Sequence, residues 1–215
     1  MDDAYTPAMT TLVLTPDEQS AVTAALAKAK PWDEDNELIK SVKTKIRAHH
    51  LARHGDTCCY CRTILHGAGH FMIDREHILP KGKATYKQYS FATWNLSISC
   101  KRCNMQYKGE DDGFVVNKIN TASFTAGSNY QLLHPNFDQW DQHLCRDARQ
   151  LNTKYMVKYT LISSNPKGQY TYDYFDLKGL EIDSFDAAQG VSHAAPGSQS
   201  ESVAEARQIA AAHGQ

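Results

Sequence analysis

Four cysteines arranged in two CxxC pairs carry the strongest chemical signal in this sequence. Cys58 and Cys61 form the first pair, and Cys100 and Cys103 form the second. Paired thiolates on a tight turn present half of a tetrahedral zinc site, and a second such pair completes the site. Four thiolates leave zinc no open position for water, so the pattern predicts a structural zinc and not a catalytic one.

Polar residues within and just after this segment have types that suit phosphodiester hydrolysis. They are an acid–histidine pair, Glu76 and His77, and two asparagines, Asn95 and Asn104. Hydrolysis needs a group that takes a proton from water, and a histidine whose pKa lies near neutrality does this at working pH. It also needs relief of charge on the phosphate, which a hard divalent cation provides when carboxylate and amide oxygens hold it.

The same residues, in this order, resemble the motif of the HNH endonucleases. The family pattern is a CxxC pair, an acid-His-Ile-x-Pro run, an Asn-Leu pair, a second CxxC pair followed by His or Asn, and a nearby lysine. The match extends over residues 58–109, roughly a quarter of the chain. The resemblance implies that His77 is the general base and that Asn95 orients this base and its loop. It also implies that Glu76 and Asn104 bind the catalytic ion.

One position departs from the family pattern. The family usually has Asp immediately before the general-base His, whereas this chain has Glu76, with a further acid at Asp74. Glutamate keeps the carboxylate but lengthens the side chain by one methylene, so Glu76, Asp74 or both are candidate ligands of a catalytic Mg²⁺ or Mn²⁺. Two lysines, Lys108 and Lys81, are the candidate contacts to a phosphate oxygen.

The fold expected around these residues is α+β, with a zinc-stapled ββα-metal core. Residues 70–79 and 91–99 have the composition of short extended segments, and a helix from Cys100 onward would present Asn104 and Lys108 on one face. A ββα unit is too small to bury a large core, so the energy of zinc binding is expected to stabilise it. N-terminal helices and a C-terminal extension with a β-hairpin are expected to complete the fold.

Two helices are predicted before the core, at residues 15–30 and 35–54. The first has a threonine N-cap, a proline at the first helical position and acids in the first turn. The second has apolar residues at helical spacing. The residues expected on its buried stripe are Leu38, Val42 and Ile46.

Histidines near the cysteines leave two alternatives open. Cys58 and Cys61 could form a local site with His66 and His70, although that choice would leave the second cysteine pair without a purpose. Three upstream histidines either lie near the metal or pack on the second helix; they are His49, His50 and His54. The two remaining cysteines are expected to be buried thiols; they are Cys59 and Cys145.

The C-terminal half gives weaker signals. Residues 155–162 and 169–177 alternate in polarity, which predicts a β-hairpin whose tyrosines either stack nucleic-acid bases or pack across the strands. The HP-x-x-D-x-W segment at 134–140 is interpreted either as an accessory wall of the active site or as a packing turn. The expected divisions are an arm and helices at 1–54, a nuclease core at 55–113, an accessory region at 114–185, and a linker with a terminal helix at 186–215.

Composition limits the partners that can be expected. The 215-residue chain has a formal net charge of −1, so nucleic-acid binding must depend on local basic patches such as residues 40–53 and 81–108. The sequence contains neither a signal-peptide core nor an apolar stretch long enough to cross a bilayer. We therefore expect a cytoplasmic protein without a membrane partner, in which the thiols stay reduced.

Features outside the core narrow the resemblance further. The extensions, the near-neutral charge and the HP-x-x-D-x-W segment make the chain similar to HNH effector subunits of Septu-type and retron-associated antiphage systems. This resemblance implies a defence nuclease that cleaves DNA or RNA and works with an ATPase partner. The chain itself has no GxxxxGK[ST] motif. The alternatives are a stand-alone restriction-type or phage HNH nuclease and a noncatalytic zinc-stapled nucleic-acid-binding module.

Overall fold

The computed structural model describes residues 3–69 and 72–183 as an α+β protein. The helices are α1 (Pro16–Leu26), α2 (Glu37–Arg53) and α3 (Pro166–Tyr174), and the strands are β1 (Ile73–His77), β2 (Leu96–Cys100), β3 (Leu144–Leu151), β4 (Lys154–Leu161) and β5 (Ile182–Asp183). One compact unit comprises Met1–Cys145 and Thr160–Gly179, and the other comprises Arg146–Tyr159 and the residues from Leu180 onward. The linker and helix predicted at 186–215 lie outside the described residues.

The two N-terminal helices form where their capping residues predict them. The Thr15 hydroxyl oxygen accepts a hydrogen bond from the Glu18 N–H, and the Glu18 carboxylate accepts one from the Thr15 N–H, which completes a capping box at the start of α1. This helix ends at Leu26, a few residues before the predicted end. The helix α2 begins after Asn36, whose side chain accepts the backbone N–H of Ile39 at 3.0 Å.

The buried face of α2 differs by one residue from the prediction. Val42 and Ile46 are buried as expected, but the third member of the stripe is Ile39, and Leu38 is 42% exposed. Residues 39 and 46 are seven positions apart, which is close to two full turns of an α-helix, whereas 38 and 46 are eight apart and differ in direction by about 80°. Val42 and Ile46 pack against Leu96 of β2, so α2 covers one face of the central hairpin.

A two-stranded antiparallel sheet lies at the centre of the first unit. β1 pairs with β2 so that Glu76 lies opposite Ser97 and His77 lies opposite Leu96. Successive side chains of a strand point to opposite faces. The contacts follow this rule, because Asp74 meets Asn104 after β2, whereas the Nε of Arg75 donates to the Lys43 carbonyl on α2 at 2.8 Å.

The helix predicted after β2 is a π-helix and not an α-helix. It spans Arg102–Lys108, and the N–H of Gly109 donates to the carbonyl of Asn104 at 2.7 Å, five residues earlier. Such π-helices are rare and are frequently found at functional sites. The segment still carries Asn104 and Lys108 toward the face of β1 that holds Asp74 and Glu76.

The C-terminal hairpin prediction is wrong in its second half. β4 occupies the first predicted segment, but it lies between β3 and β5 in the sheet. Residues of the second segment form α3, because Asn165 caps its first turn and Pro166 occupies the first helical position. The tyrosines expected on one hairpin therefore belong to two different elements, β4 and α3.

Within residues 3–69 and 72–183, no helix has the length and apolar composition that a membrane span requires.

Candidate active site and cysteine cluster

The four cysteines of the two CxxC pairs converge on one point. Their sulfur atoms all lie within 4.8 Å of one another, and the sulfurs of Cys61 and Cys100 are 3.8 Å apart. A tetrahedral zinc with Zn–S bonds of about 2.3 Å separates its sulfurs by about 3.8 Å, whereas a disulfide would require about 2.05 Å. The prediction that these cysteines share one site is confirmed, and the cluster could hold a structural metal such as zinc.

The surroundings of the sulfurs fit a bound cation. All four side chains are buried, and burial raises the pKa of the Cys58 thiol well above its usual range. Thiolates collected in such a place need a compensating positive charge. The N–H of Cys103 donates to the sulfur of Cys100 at 3.5 Å, and the Thr63 hydroxyl lies 3.2 Å from the Cys61 sulfur, so polar groups already orient the ligands.

The competing ligands that the structure describes lie outside the cysteine cluster. The side chain of His66 is 82% exposed and contacts Asp56, and His70 lies outside the described residues. His54, the C-cap residue of α2, is buried, and its Nε2 lies 2.9 Å from the Ser97 hydroxyl. Of the two leftover cysteines, Cys59 is buried as expected, but the prediction is wrong for Cys145, which is exposed.

The HP-x-x-D-x-W segment supports the cysteine cluster from outside. The Trp140 indole N–H donates to the carbonyl of Tyr60, between the first two cysteines, at 3.0 Å. The Asn136 amide donates to the carbonyls of Trp94 and Leu96 at 2.9 and 2.7 Å, where β2 begins. These contacts favour the interpretation of the segment as a packing turn.

His77 ends β1 with one ring nitrogen fixed. Its Nε2 lies 3.0 Å from the Ser90 carbonyl oxygen, and because a carbonyl only accepts, Nε2 carries the proton and Nδ1 keeps the lone pair. The Trp32 ring packs edge-on against the imidazole, with centroids 4.4 Å apart. Burial lowers the pKa of His77 to about 3, so the ring is neutral at physiological pH.

Asn95 makes the contacts of a residue that orients the His77 loop. It is fully buried, its side-chain oxygen accepts the Leu79 N–H at 2.7 Å, and its amide donates to the Leu79 and Tyr89 carbonyls. Leu79 follows His77 by two positions, and Tyr89 precedes Ser90. One side chain therefore joins the loop after His77 to the segment that fixes the His77 ring.

Glu76 is inside the protein and is bound by a lysine. Its Oε1 accepts from the Lys108 ammonium at 2.9 Å and from the Tyr60 hydroxyl at 3.1 Å. The same ammonium donates to the backbone carbonyl of His77 at 2.8 Å. Burial raises the pKa of Glu76, and Lys108 opposes that rise. Since Lys108 is only 2% exposed, it has no free surface at which to contact a phosphate.

Asn104 is brought to Asp74 rather than to Glu76. The Asn104 amide donates to the Asp74 carboxylate at 3.1 Å, and the Lys101 ammonium lies 2.9 Å from the other carboxylate oxygen. The side chain of Asp74 is 20% exposed. Glu76 retains one oxygen without a hydrogen-bond partner. The predicted ion ligands thus form one direct pair, Asp74 with Asn104, with Glu76 on the same face of β1.

The remaining predicted contact is Lys81, and one residue was missed. Lys81 is exposed in the loop after β1 and lines a pocket that also contains Trp32. No sequence motif indicated Trp32, and the one signal it offered was an aromatic residue directly after Pro31.

Scans against protein-family models and searches of curated proteins and of solved structures find no match for this chain.

Replacing Lys108 by methionine is expected to destabilise the protein by about 3–5 kcal/mol, because it leaves the buried Glu76 carboxylate without its partner. The free energy of unfolding from urea titration measures this change. Lys101→Met is the matched control, since it removes a partly exposed ion pair with Asp74 that is worth about 1 kcal/mol or less. Equal losses in the two variants would contradict a stabilising role for the buried pair.

Proposed function

We propose that the chain is a metal-dependent HNH endonuclease that hydrolyses phosphodiester bonds in DNA or RNA. The observation that carries the proposal is the tautomer and fixed position of the His77 ring. This residue ends β1, in the same hairpin as Cys100. Its neutral ring donates Nε2–H to the Ser90 carbonyl, and among the described residues no hydrogen bond occupies Nδ1. A neutral imidazole held in this way offers Nδ1 to take a proton from an attacking water.

The charges around His77 would tune this base when a substrate binds. A pKa of about 3 makes a weak base, and after burial the nearby lysines Lys81 and Lys108 contribute to that low value. A phosphate near Lys81 would offset this positive charge and raise the His77 pKa toward neutrality. Substrate binding would therefore strengthen the base at the place where it acts.

The oxygen ligands on β1 and the π-helix fit a hard divalent cation. Asp74 and Asn104 contribute a carboxylate and an amide in direct contact, and Glu76, on the same face of β1, retains one unpartnered oxygen. Mg²⁺ and Mn²⁺ prefer such ligands, and either ion when bound would relieve the negative charge of the phosphate. Lys101 would have to release Asp74, because its ammonium shares that carboxylate.

The proposal includes the role of a defence effector in the cytoplasm that works with an ATPase partner. The sequence resemblance to Septu-type and retron-associated subunits supports this part. Copurification of the chain with an ATPase would favour it over a stand-alone nuclease.

A cleavage assay with added Mg²⁺ or Mn²⁺ tests the proposal on plasmid DNA and on RNA. We expect cleavage only with a divalent ion, and we expect Asp74→Asn and Asn104→Ala to reduce the rate about 100-fold or more, since each removes an ion ligand. Direct titration with Mn²⁺ should show weakened binding in the same variants. Asp56→Asn, which alters an exposed carboxylate away from this site, is the matched control.

Two outcomes would contradict this assignment. Unchanged Mn²⁺ affinity in Asp74→Asn would remove Asp74 from the ion site. Absence of cleavage with either ion and with the partner present, together with intact nucleic-acid binding, would favour the noncatalytic binding module.

A further inference from the structure

A pocket with a volume of about 430 Å³ opens next to His77. Two of its lining residues also contact the His77 ring: Trp32 packs edge-on against the imidazole, and the Ser90 carbonyl accepts its Nε2–H. The pocket joins the segment between α1 and α2 to the loop after β1. A molecule bound in this pocket would therefore lie one side chain away from the proposed base.

The lining combines an aromatic ring with several ammonium groups. Lys30, Lys81 and Lys87 line the pocket with Trp32, and none of these lysines forms a salt bridge within the described part of the chain. Nearby Lys83, by contrast, is paired with Asp112 at 2.6 Å. Unpaired ammonium groups beside an aromatic ring are the arrangement that binds a nucleic-acid strand, through its phosphates and through stacking of a base.

We infer that this pocket binds one unpaired nucleotide of the substrate, with its base against Trp32 and its phosphate at the lysines. The inference rests on the proposed nuclease function and assigns it a substrate class, single-stranded or unpaired nucleic acid. The volume lies within the roughly 300–1,000 Å³ of small-molecule pockets. A base within a duplex would have to leave its stack and its partner before it could enter.

Two acids on the lining distinguish a nucleotide from a free anion. Asp33 and Glu110 also line the pocket, and both are exposed. Inorganic phosphate would bring its negative charge next to these carboxylates, and like charges repel. A nucleotide separates its charge from its base, so the phosphate can contact lysines while N–H groups of the base donate to a carboxylate.

The position of Trp32 gives the N-terminal helices a role in substrate binding. The residue belongs to a short helical turn, Pro31–Asp33, between α1 and α2. Phe91 holds its ring from one side at a centroid distance of 5.1 Å. The region before the core thus supplies one wall of the pocket, and the loop that carries Lys81 supplies another.

Binding of labelled oligonucleotides to the full chain tests this inference by fluorescence anisotropy. Single-stranded DNA, single-stranded RNA and a duplex of the same sequence are compared without added Mg²⁺ or Mn²⁺, so cleavage does not interfere. We expect at least one single strand to bind tenfold or more tightly than the duplex. The double variant Lys30→Gln, Lys87→Gln should weaken that binding about tenfold and flatten its salt dependence.

Variants of the aromatic wall separate stacking from charge. Trp32→Leu should weaken single-strand binding about tenfold, because it removes the stacking surface, whereas Trp32→Phe should retain most of the affinity. Trp32 packs against the core cluster of Val42, Ile46 and Leu96, so thermal melts must accompany both variants. The lysine variant changes side chains outside that cluster and keeps the test valid if Trp32→Leu fails to fold.

A matched control removes the same charge elsewhere. Lys28→Gln with Lys154→Gln alters two exposed lysines outside the pocket and should leave the affinity nearly unchanged. Equal binding of duplex and single strands, or equal affinities in the pocket and control variants, would overturn the inference. If the pocket variants cleaved nucleic acid at the wild-type rate, the pocket inference would fail and the nuclease proposal would stand. If single strands bound at the pocket but no cleavage occurred under any condition, the nuclease proposal alone would fail.

Discussion

Replacement of Cys103 by serine is expected to unfold the hairpin core and to abolish metal binding. The sulfur belongs to a buried cluster of four, and a serine hydroxyl is a poor substitute for a thiolate ligand of zinc. Structural zinc contributes apparent binding energy on the order of 10 kcal/mol in small modules. That is comparable to the roughly 5–15 kcal/mol by which whole domains are stable. Zinc content, circular dichroism and thermal melting of the purified variant measure the loss.

Two other cysteines serve as controls for this prediction. Cys145→Ser alters an exposed thiol outside the cluster and should change the free energy of unfolding by only about 0.5 kcal/mol. Cys59→Ser alters a buried thiol beside the ligands, so it reports the cost of a local packing change with the metal retained. A metal-free wild-type chain that melts cooperatively at the same temperature as the metal-loaded chain would show that the cluster does not need an ion.

The parts of the fold that the sequence predicted well depend on local chemistry. The cysteine cluster follows from residue type and spacing, because two CxxC pairs supply the four sulfur ligands of one metal ion. The start of α1 follows from Thr15, Pro16 and Glu18, whose capping contacts involve neighbours in sequence. The capping contacts and each CxxC turn involve residues within one turn of the chain, so distant contacts do not change them.

The errors arose where local signals conflicted or where distant contacts decided the result. At residues 169–177 the alternation of polarity predicts a strand, but the N-cap Asn165 and the first-turn Pro166 start a helix that runs to Tyr174 instead. β4 pairs with both β3 and β5, and the sequence of β3, Leu144–Leu151, has few apolar residues and gave no strand signal. Cross-strand pairing with a polar neighbour cannot be read from either segment alone.

The site shows the same division between local and distant information. The order of the motif placed Glu76 and Asn104 together as ligands, but the structure gives each a different partner. Strand alternation puts Asp74 and Glu76 on one face, and the π-helix determines which of them Asn104 meets. No feature of the sequence predicted a π-helix at Arg102–Lys108, so the direct pair of Asp74 with Asn104 could be identified only from the structure.

Replacement of His77 by alanine is expected to reduce cleavage about 10²- to 10⁴-fold, the usual contribution of a general base. The change should leave zinc content unaltered, because the imidazole contacts Trp32 and Ser90 and is not part of the cysteine cluster. Initial rates under saturating divalent ion, compared with the melting temperature of each variant, separate lost chemistry from lost folding. His66→Ala removes an exposed histidine and should cleave at the wild-type rate.

The choice of nitrogen makes this prediction sharper than a simple loss of activity. If Nδ1 takes the proton, His77→Gln should not restore cleavage, since its amide nitrogen has about the reach of Nε2 and can donate to the Ser90 carbonyl but cannot act as a base near neutral pH. It should nevertheless restore stability lost in the alanine variant, because the hydrogen bond to Ser90 is regained. Stability that returns without activity would assign the ring to proton transfer. Wild-type cleavage by His77→Ala would exclude His77 from the mechanism, however well its ring is held.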